Sequence, residues 1–555
     1  MAMLPTTFHN PILKGFYPDP SVCRVGDRYY MVTSSFYYFP GLPVFESRDL
    51  VHWRQIGNAI ERPEQLDFRN CDISEGLWAA TIRYHDGKFY IVNTLDVNGR
   101  TNRYNFIVTA EDPAGPWSEA TIIQGADGID PSLYFDEEGR VWFCSNHIPD
   151  QLAFPSHKQI ILRELDPDTF QFTGPEYVVF DAVTDHSLFM EAPHIYRIDG
   201  WYYLITAEGG TQTNHCVNMY RSRHLTGSYE PCPHNPIVTN RGVKMVNGTG
   251  IAVTGHGDLV QTQLGEWYMV VLGIRPYEKR IEDYERFQPR MWIRTPDRNK
   301  SAQFNLGRET FLVPIAWEED GWPVIDNENG LVNASERRPQ LPWHREAYQS
   351  RVDNFEMEKL DLCWLMQRPP EKPFHSLTAR PGFLRLRMLP GLAEEKATSA
   401  AILRRQQHND FQVAAAMEFT PRAEGEEAGI LVTQNERFSF LLVKERKAGR
   451  NCIACYQIIN GQRHLLAAEN APEGRMYLFV EGQTGQYSFY YGAQEREMKA
   501  LMLNADGSYL STLVADGYVG VLLGMYASNG RVKEADRQAD SHADFDWFRY
   551  EAIEE

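Results

Sequence analysis

The strongest constraint on this chain is a short pattern that occurs five times before residue 275. It reads YPDPSVCRVGDRYYMVTS from Tyr17, WAATIRYHDGKFYIVNT from Trp78, GIDPSLYFDEEGRVWFCS from Gly128, EAPHIYRIDGWYYLITAE from Glu191 and GHGDLVQTQLGEWYMVVLG from Gly255. Each copy has a small or acidic start, an apolar strand, a turn holding Gly and a second strand that opens on aromatic residues. The anchors Tyr30, Tyr90, Trp142, Tyr203 and Trp267 recur at roughly 50 to 65 residues, the interval of a propeller or array rather than a single sheet. Five copies predict five blades. Setting four-stranded blades around an axis removes most exposed sheet edges, and the opening strand of each copy becomes the innermost. Side chains at those strand starts then converge on one channel.

From Asn10 to about Gly321 the text is short apolar strands broken by Gly, Asp, Asn and Pro, with almost no helical periodicity. The stretch LGRETFLVPIAWEEDGWPV from Leu306 is expected to supply a strand that completes the last or the first blade. The predicted architecture is all-β: a five-bladed β-propeller over residues 1–328, a linker over 329–345 and a β-sandwich over 346–555. The linker assignment rests on NENGLVNASERRPQLPWHR, which gathers Asn, Pro and charge. Beyond it the repeat is gone. Longer strands such as FQVAAAMEF from Phe411, RFSFLLVKE from Arg437 and FDWFRYEA from Phe545 occur there at near-regular spacing, about eight in all, as in a two-sheet sandwich. A chain of 555 residues also exceeds what one core supports.

A formal charge of −19 without clustered Lys and Arg argues against nucleic acid as a partner. No apolar run is long enough to span a membrane. The start, MAMLPTTFHN, lacks the basic and apolar regions of a leader, so a cytoplasmic location is expected. Eight cysteines match no disulfide framework. Cys452 and Cys455 form a CxxC, but in the strand-like run CIACYQII positions i and i+3 face opposite sides, so buried or isolated thiols are expected there.

Laying the copies over one another places Asp19, Asp130 and Glu191 at equivalent starts of three innermost strands, each followed by Pro within two residues. Any one of them reads as turn chemistry, a carboxylate capping backbone N–H groups. Three at matched positions of a radial fold would crowd like charges around one axis, which costs free energy. Such a trio is equipped to split a glycosidic bond. One carboxylic acid protonates the leaving oxygen while an ionised one activates water, and crowding supplies the difference in proton affinity that the two roles need. Opposite walls of a channel suit the separation of roughly 6.5–9.5 Å that a water between acid and base requires, so inversion is expected.

The stretches NPILKGFYPDPSVCRVGDRYYMVTSSFYYFPG, ESRDLVHW, EAPHIYRIDGWYYLITAEGGT and LGRETF followed by DGWP, in that order from residue 10 to about 325, resemble the glycoside hydrolase family 43 β-xylosidases. The C-terminal part, ending in ADFDWFRYE, is similar to the sandwich those enzymes carry. The resemblance implies a five-bladed propeller and single-displacement inversion, with Asp19 as general base, Asp130 as the carboxylate that orients and tunes the acid, and Glu191 as general acid. It also implies that Arg308 reaches the subsite of the terminal sugar, where a surface salt bridge is the rival reading. Phe36 and Trp78 match aromatic pocket walls, against core packing. His256 matches a histidine that in some members holds a central calcium through waters and in others only hydrogen-bonds near the acid.

Two positions depart from the family text: Ala79-Ala80-Thr81 after the pocket Trp, and Ala192 where a glycine is usual. The expected activity is an exo-acting β-1,4-xylosidase on short xylo-oligosaccharides, with no cofactor required and calcium in the central channel as the one candidate metal. The alternatives are an α-L-arabinofuranosidase, alone or as a second activity, and a sugar-binding propeller without catalysis. The resemblance further implies a homo-oligomer, dimer or tetramer, and a sandwich that covers part of the propeller mouth or binds carbohydrate itself.

Overall fold

A computed structural model describes residues 5–98, 102–243, 250–279, 302–344, 351–538 and 540–553. Two compact units are formed, Met1–Pro276 with Arg308–Glu346, and Tyr277–Gly307 with Ala347–Glu555.

The first unit contains five four-stranded antiparallel sheets, and each copy of the repeat opens one of them. They are Ser21–Val25, Arg28–Val32, Gly41–Ser47 and Arg54–Ile60; Gly76–His85, Lys88–Val97, Asn102–Ala110 and Thr121–Ile122; Ser132–Phe135, Val141–His147, Gln159–Leu165 and Phe172–Asp181; Glu191–Ile198, Trp201–Glu208, Cys216–Ser222 and Glu230–Pro231; and Ala252–Gln261, Trp267–Ile274, Glu309–Trp317 and Pro323–Ile325. The first strands of the five sheets touch one another in a closed cycle, first to second through fifth to first. This is the propeller expected from the repeat, with the opening strands innermost. The stretch from Leu306 completes the last sheet, where Glu309–Trp317 pairs with Trp267–Ile274.

Apolar side chains of neighbouring sheets interlock to form the cores. One cluster joins the fifth sheet to the first through Val270, Tyr268 and Leu312 against Tyr29, Met31 and Phe45. Others join the second to the third, the third to the fourth and the fourth to the fifth. The aromatic anchors are the wedges of this packing. Tyr30 meets Phe89 of the second sheet at 4.9 Å between ring centroids, Tyr90 meets Phe135 of the third at 5.0 Å, and Tyr203 meets Trp317 of the fifth at 5.0 Å. Such edge-on and tilted contacts add to the burial they accompany.

The ring is closed by the chain's early residues. Thr7–His9 pairs with Ser335–Arg337, and the Asn10 side chain exchanges two hydrogen bonds with the Leu312 backbone, at 3.0 and 2.9 Å. The sequence reading of 329–345 as a linker is therefore corrected. The propeller holds its backbone, since the Asn240 side chain donates to the Val332 carbonyl at 3.0 Å and accepts from Val332 N–H at 2.9 Å, and its apolar residues Val332 and Leu341 sit in the cores. The expected boundary at 328 shifts for a second reason: Tyr277–Gly307 belongs to the second unit. There Asn305 donates to the Gly507 carbonyl at 3.0 Å and Val521 N–H donates to Asn305 at 2.8 Å.

The second unit is a β-sandwich of an eight-stranded and a six-stranded antiparallel sheet, with Phe440 of one meeting Phe489 of the other at 5.4 Å. More strands are present than the eight expected, because polar edge strands such as Gln462–Asn470 and Lys499–Asp506 carry little apolar signal. None of the eight cysteines is in a disulfide. No helix among the described residues is long and apolar enough to cross a membrane.

Candidate active site

Every innermost strand is irregular near its start, and the sequence writes the irregularity. Asp19 and Asp130 adopt φ of 54° and 53°, in the left-handed region that a short polar side chain tolerates, and each precedes a Pro and the Ser that opens its strand. In the second, fourth and fifth sheets the pairing slips beside the site, between Leu77 and Ala80, between Glu191 and His194, and between Gly255 and Asp258. A bulge re-aims the side chains it carries, which takes Trp78, Glu191 and His256 out of simple alternation. Gly128, ahead of Asp130, is required sterically, since a Cβ there would lie 1.7 Å from the Asn146 carbonyl oxygen. Ala192 has φ of 52°, which explains the glycine of the family text. An L-residue in that region costs about 1–2 kcal/mol that glycine does not.

Asp19 is 5% exposed and fully engaged. Its Oδ1 accepts from Arg308 Nη1 at 2.5 Å and its Oδ2 from Ser34 Oγ at 2.5 Å, while His256 Nδ1 stands 3.8 Å from Oδ1. Burial alone would raise its proton affinity. The Arg308 guanidinium, His256 and the Ser34 bond outweigh burial and hold the carboxyl below its ordinary range. The rival reading of Arg308 as a surface pair is thereby corrected, because Arg308 is itself 5% exposed.

Asp130 and Glu191 behave oppositely. Burial, then the charges of Glu191 and Asp19, pushes Asp130 well above the usual carboxylate range. Burial pushes Glu191 up to about 7, with Lys158 pulling it down and Asp19 pushing it up. The Asp19 charge thus acts on both of the other carboxyls, and that of Glu191 acts on Asp130. Asp130 and Glu191 cannot both ionise freely, so the pair keeps a proton that Asp19 does not. Lys158, its own affinity lowered first by burial and restored in part by Glu191 and Asp130, is the cation of this half of the site.

Phe36 is buried, with Phe16 at 5.7 Å between rings and the Arg308 guanidinium 5.7 Å from its ring centre. Its backbone exchanges hydrogen bonds with Leu77, at 2.8 and 2.9 Å, which sets Phe36 beside the strand that carries Trp78. Trp78 is 9% exposed, donates from Nε1 to the Ser74 carbonyl at 3.0 Å and lies under Arg103 at 5.2 Å. His256 has φ of 51° and is buried beside Asp19.

Sequence reasoning missed Ser34, Lys158 and Thr211, which contacts Arg308 Nη1 at 3.3 Å. Ser34 stood in plain view at the end of the first repeat. Lys158 and Thr211 lie outside every copy of the repeat, and no local pattern marks them.

A carboxyl held low in proton affinity beside a pair held high is equipped for general acid–base catalysis. Comparison with known proteins agrees. The model for glycosyl hydrolases family 43 matches residues 8–323, and that for the beta xylosidase C-terminal concanavalin A-like domain matches 352–551. A xylosidase/arabinosidase of Butyrivibrio fibrisolvens is 35% identical over 98% of this chain and 99% of its own. A non-reducing end α-L-arabinofuranosidase of Bacteroides ovatus is 36% identical over 99% and 95%. The crystal structure of a xylan β-1,4-xylosidase from Bacillus halodurans superposes with a TM-score of 0.87 at 31% identity, covering 98% of this chain and 99% of that one.

Proposed function

Because this chain belongs to glycosyl hydrolase family 43, we propose that it is an inverting, exo-acting β-1,4-xylosidase that releases xylose from the non-reducing ends of short xylo-oligosaccharides. The observation that carries this reading is the split in proton affinity, with Asp19 held low and Glu191 raised to about 7. Asp19 is the general base, kept ionised by Arg308. It takes a proton from the water that attacks the anomeric carbon. Glu191 is the general acid and gives its proton to the glycosidic oxygen as the bond to that carbon breaks. Asp130 is the carboxyl that orients and tunes the acid, its own proton affinity raised by burial and by Glu191. The products are α-xylose and an oligosaccharide shortened by one sugar; afterwards Asp19 loses its proton to solvent and Glu191 regains one. Arg308, Phe36, Trp78 and His256 are the candidates for holding the terminal sugar, a fork of donors on its hydroxyls and rings on its apolar face.

Relatives named for arabinosidase activity favour a second reading, α-L-arabinofuranosidase as a further or leading activity. Turnover of 4-nitrophenyl β-D-xylopyranoside against the α-L-arabinofuranoside decides the order. The xyloside is expected to be faster, and an arabinoside rate far above it would reverse the assignment. Proton NMR of xylobiose hydrolysis should show α-xylose first; β-xylose first would remove inversion. Binding of xylobiose with no xylose released would leave a sugar-binding propeller.

Lys158 offers a test of the acid. Its positive charge favours the ionised form of Glu191 and so lowers that group's proton affinity. Activity is expected to fall as pH rises through about 7, and Lys158→Met should move that alkaline limb upward. A kcat/KM profile in which the limb stays put or moves down would detach Lys158 from the acid.

A further inference from the structure

Further along the innermost strands than the acids, two residues on at Ser21 and three to five at His194 and Tyr196, lies a second ring of polar groups that the proposed chemistry does not use. Asp258 of the fifth sheet is fully buried. Its Oδ2 accepts from Ser21 Oγ at 2.6 Å, Val22 N–H at 3.0 Å and Arg83 Nη1 at 2.8 Å. Its Oδ1 accepts from Tyr196 Oη at 2.5 Å and Arg83 Nη2 at 3.2 Å. Arg83 Nη2 also lies 2.8 Å from His194 Nδ1. A guanidinium only donates, so Nδ1 of His194 is the acceptor and its proton sits on Nε2. Ser21 belongs to the first sheet, Arg83 to the second, His194 and Tyr196 to the fourth and Asp258 to the fifth. One ion pair thus ties four of the five innermost strands.

A calcium ion takes about 6–8 oxygen ligands. The residues here do not fit one. Both oxygens of Asp258 are saturated by protein donors, and His256, the histidine expected to hold the ion through waters, faces Asp19 at 3.8 Å beside the Arg308 cation. Among the described residues, the one set of three metal-ligating side chains that converges is His234, Glu318 and Asp320; it is exposed and contains no group of this ring.

We propose that Arg83 is the resident cation of the channel axis: its guanidinium neutralises Asp258, fixes the His194 tautomer three residues from Glu191, and replaces a bound metal in holding the innermost strands together. The sequence offered no sign of this role, because Arg83 sits in the second copy of the repeat at a place where the other copies carry no basic residue that binds the ring. Arg83 acts through Asp258 and His194 and is a positioning residue. The inference rests on the catalytic reading only for its activity readout.

The test uses the full chain, purified and treated with chelator. The expected results are metal content far below one calcium per chain by mass spectrometry, an unchanged melting temperature with chelator or millimolar calcium, and unchanged turnover of the aryl xyloside. Stoichiometric calcium, or a melting temperature that falls with chelator, would overturn the proposal whether or not any glycoside is turned over. Arg83→Met is expected to lower the melting temperature and to lower kcat with little change in KM, and guanidinium ion at sub-denaturing concentration should restore part of both. A folded Arg83→Met with wild-type stability and kcat would also overturn it. If that variant does not fold, Arg83→Met combined with Asp258→Asn removes both charges. It should recover folding if the cation's task is to neutralise Asp258, and continued failure to fold would count against that task.

Discussion

Asp19→Ala is expected to lower kcat by roughly 10³-fold or more on every substrate, with KM changed far less, because the attack of water needs a base whatever group departs. The effect reaches beyond the missing base. Asp19 raises the proton affinities of Asp130 and Glu191, and Arg308 lowers both. With Asp19 gone, Arg308 acts on them unopposed, so the alkaline limb of any residual activity should move to lower pH. Asp19→Asn keeps the shape and an acceptor for Ser34 and should be nearly as inactive, which separates loss of charge from loss of packing. Turnover within tenfold of wild type in either variant would require another base.

The second large effect depends on the substrate. Glu191→Gln removes the acidic proton and keeps the shape, so a leaving group that needs protonation suffers most. Xylobiose hydrolysis is expected to fall by roughly 10²–10⁴-fold. An aryl xyloside whose phenolate is stable without a proton should lose at least about tenfold less. A series of aryl leaving groups measures this directly: the dependence of kcat/KM on leaving-group acidity should steepen in the variant. Equal losses across the series would take the acid role from Glu191, and Asp130, the other carboxyl that retains a proton, would be next in line.

Much of this site was legible because the fold is a repeat. Superposing five copies turns sequence position into spatial position, so Asp19, Asp130 and Glu191 could be placed around one axis from the residues alone. The aromatic anchors were legible for the same reason, since each occupies one station in the wedge between neighbouring sheets. The limits have equally physical causes. A turn reading for Asp19 and Asp130 was locally sound, and their left-handed backbone shows that turn geometry and an engaged carboxylate are one feature. The stretch 329–345 looked like a linker because it is rich in Asn, Pro and charge, yet Asn10 and Asn240 from distant parts of the chain bind its backbone, a partnership that composition does not carry. Residues 277–307 interrupt the fifth sheet between its second and third strands and belong to the other unit, and only contacts reveal which unit they complete.

The sequence alone therefore determined the all-β class, the ring of hairpins and the matched placement of three carboxyls at strand starts, because periodicity survives in one dimension. The tertiary structure alone decided which acid is ionised. That depends on burial and on partners brought from far along the chain: Arg308, 289 positions away, draws the proton from Asp19, while burial, the Asp19 charge and Lys158 set the level for Asp130 and Glu191. Charge state is a sum over neighbours in space, and folding chooses the neighbours.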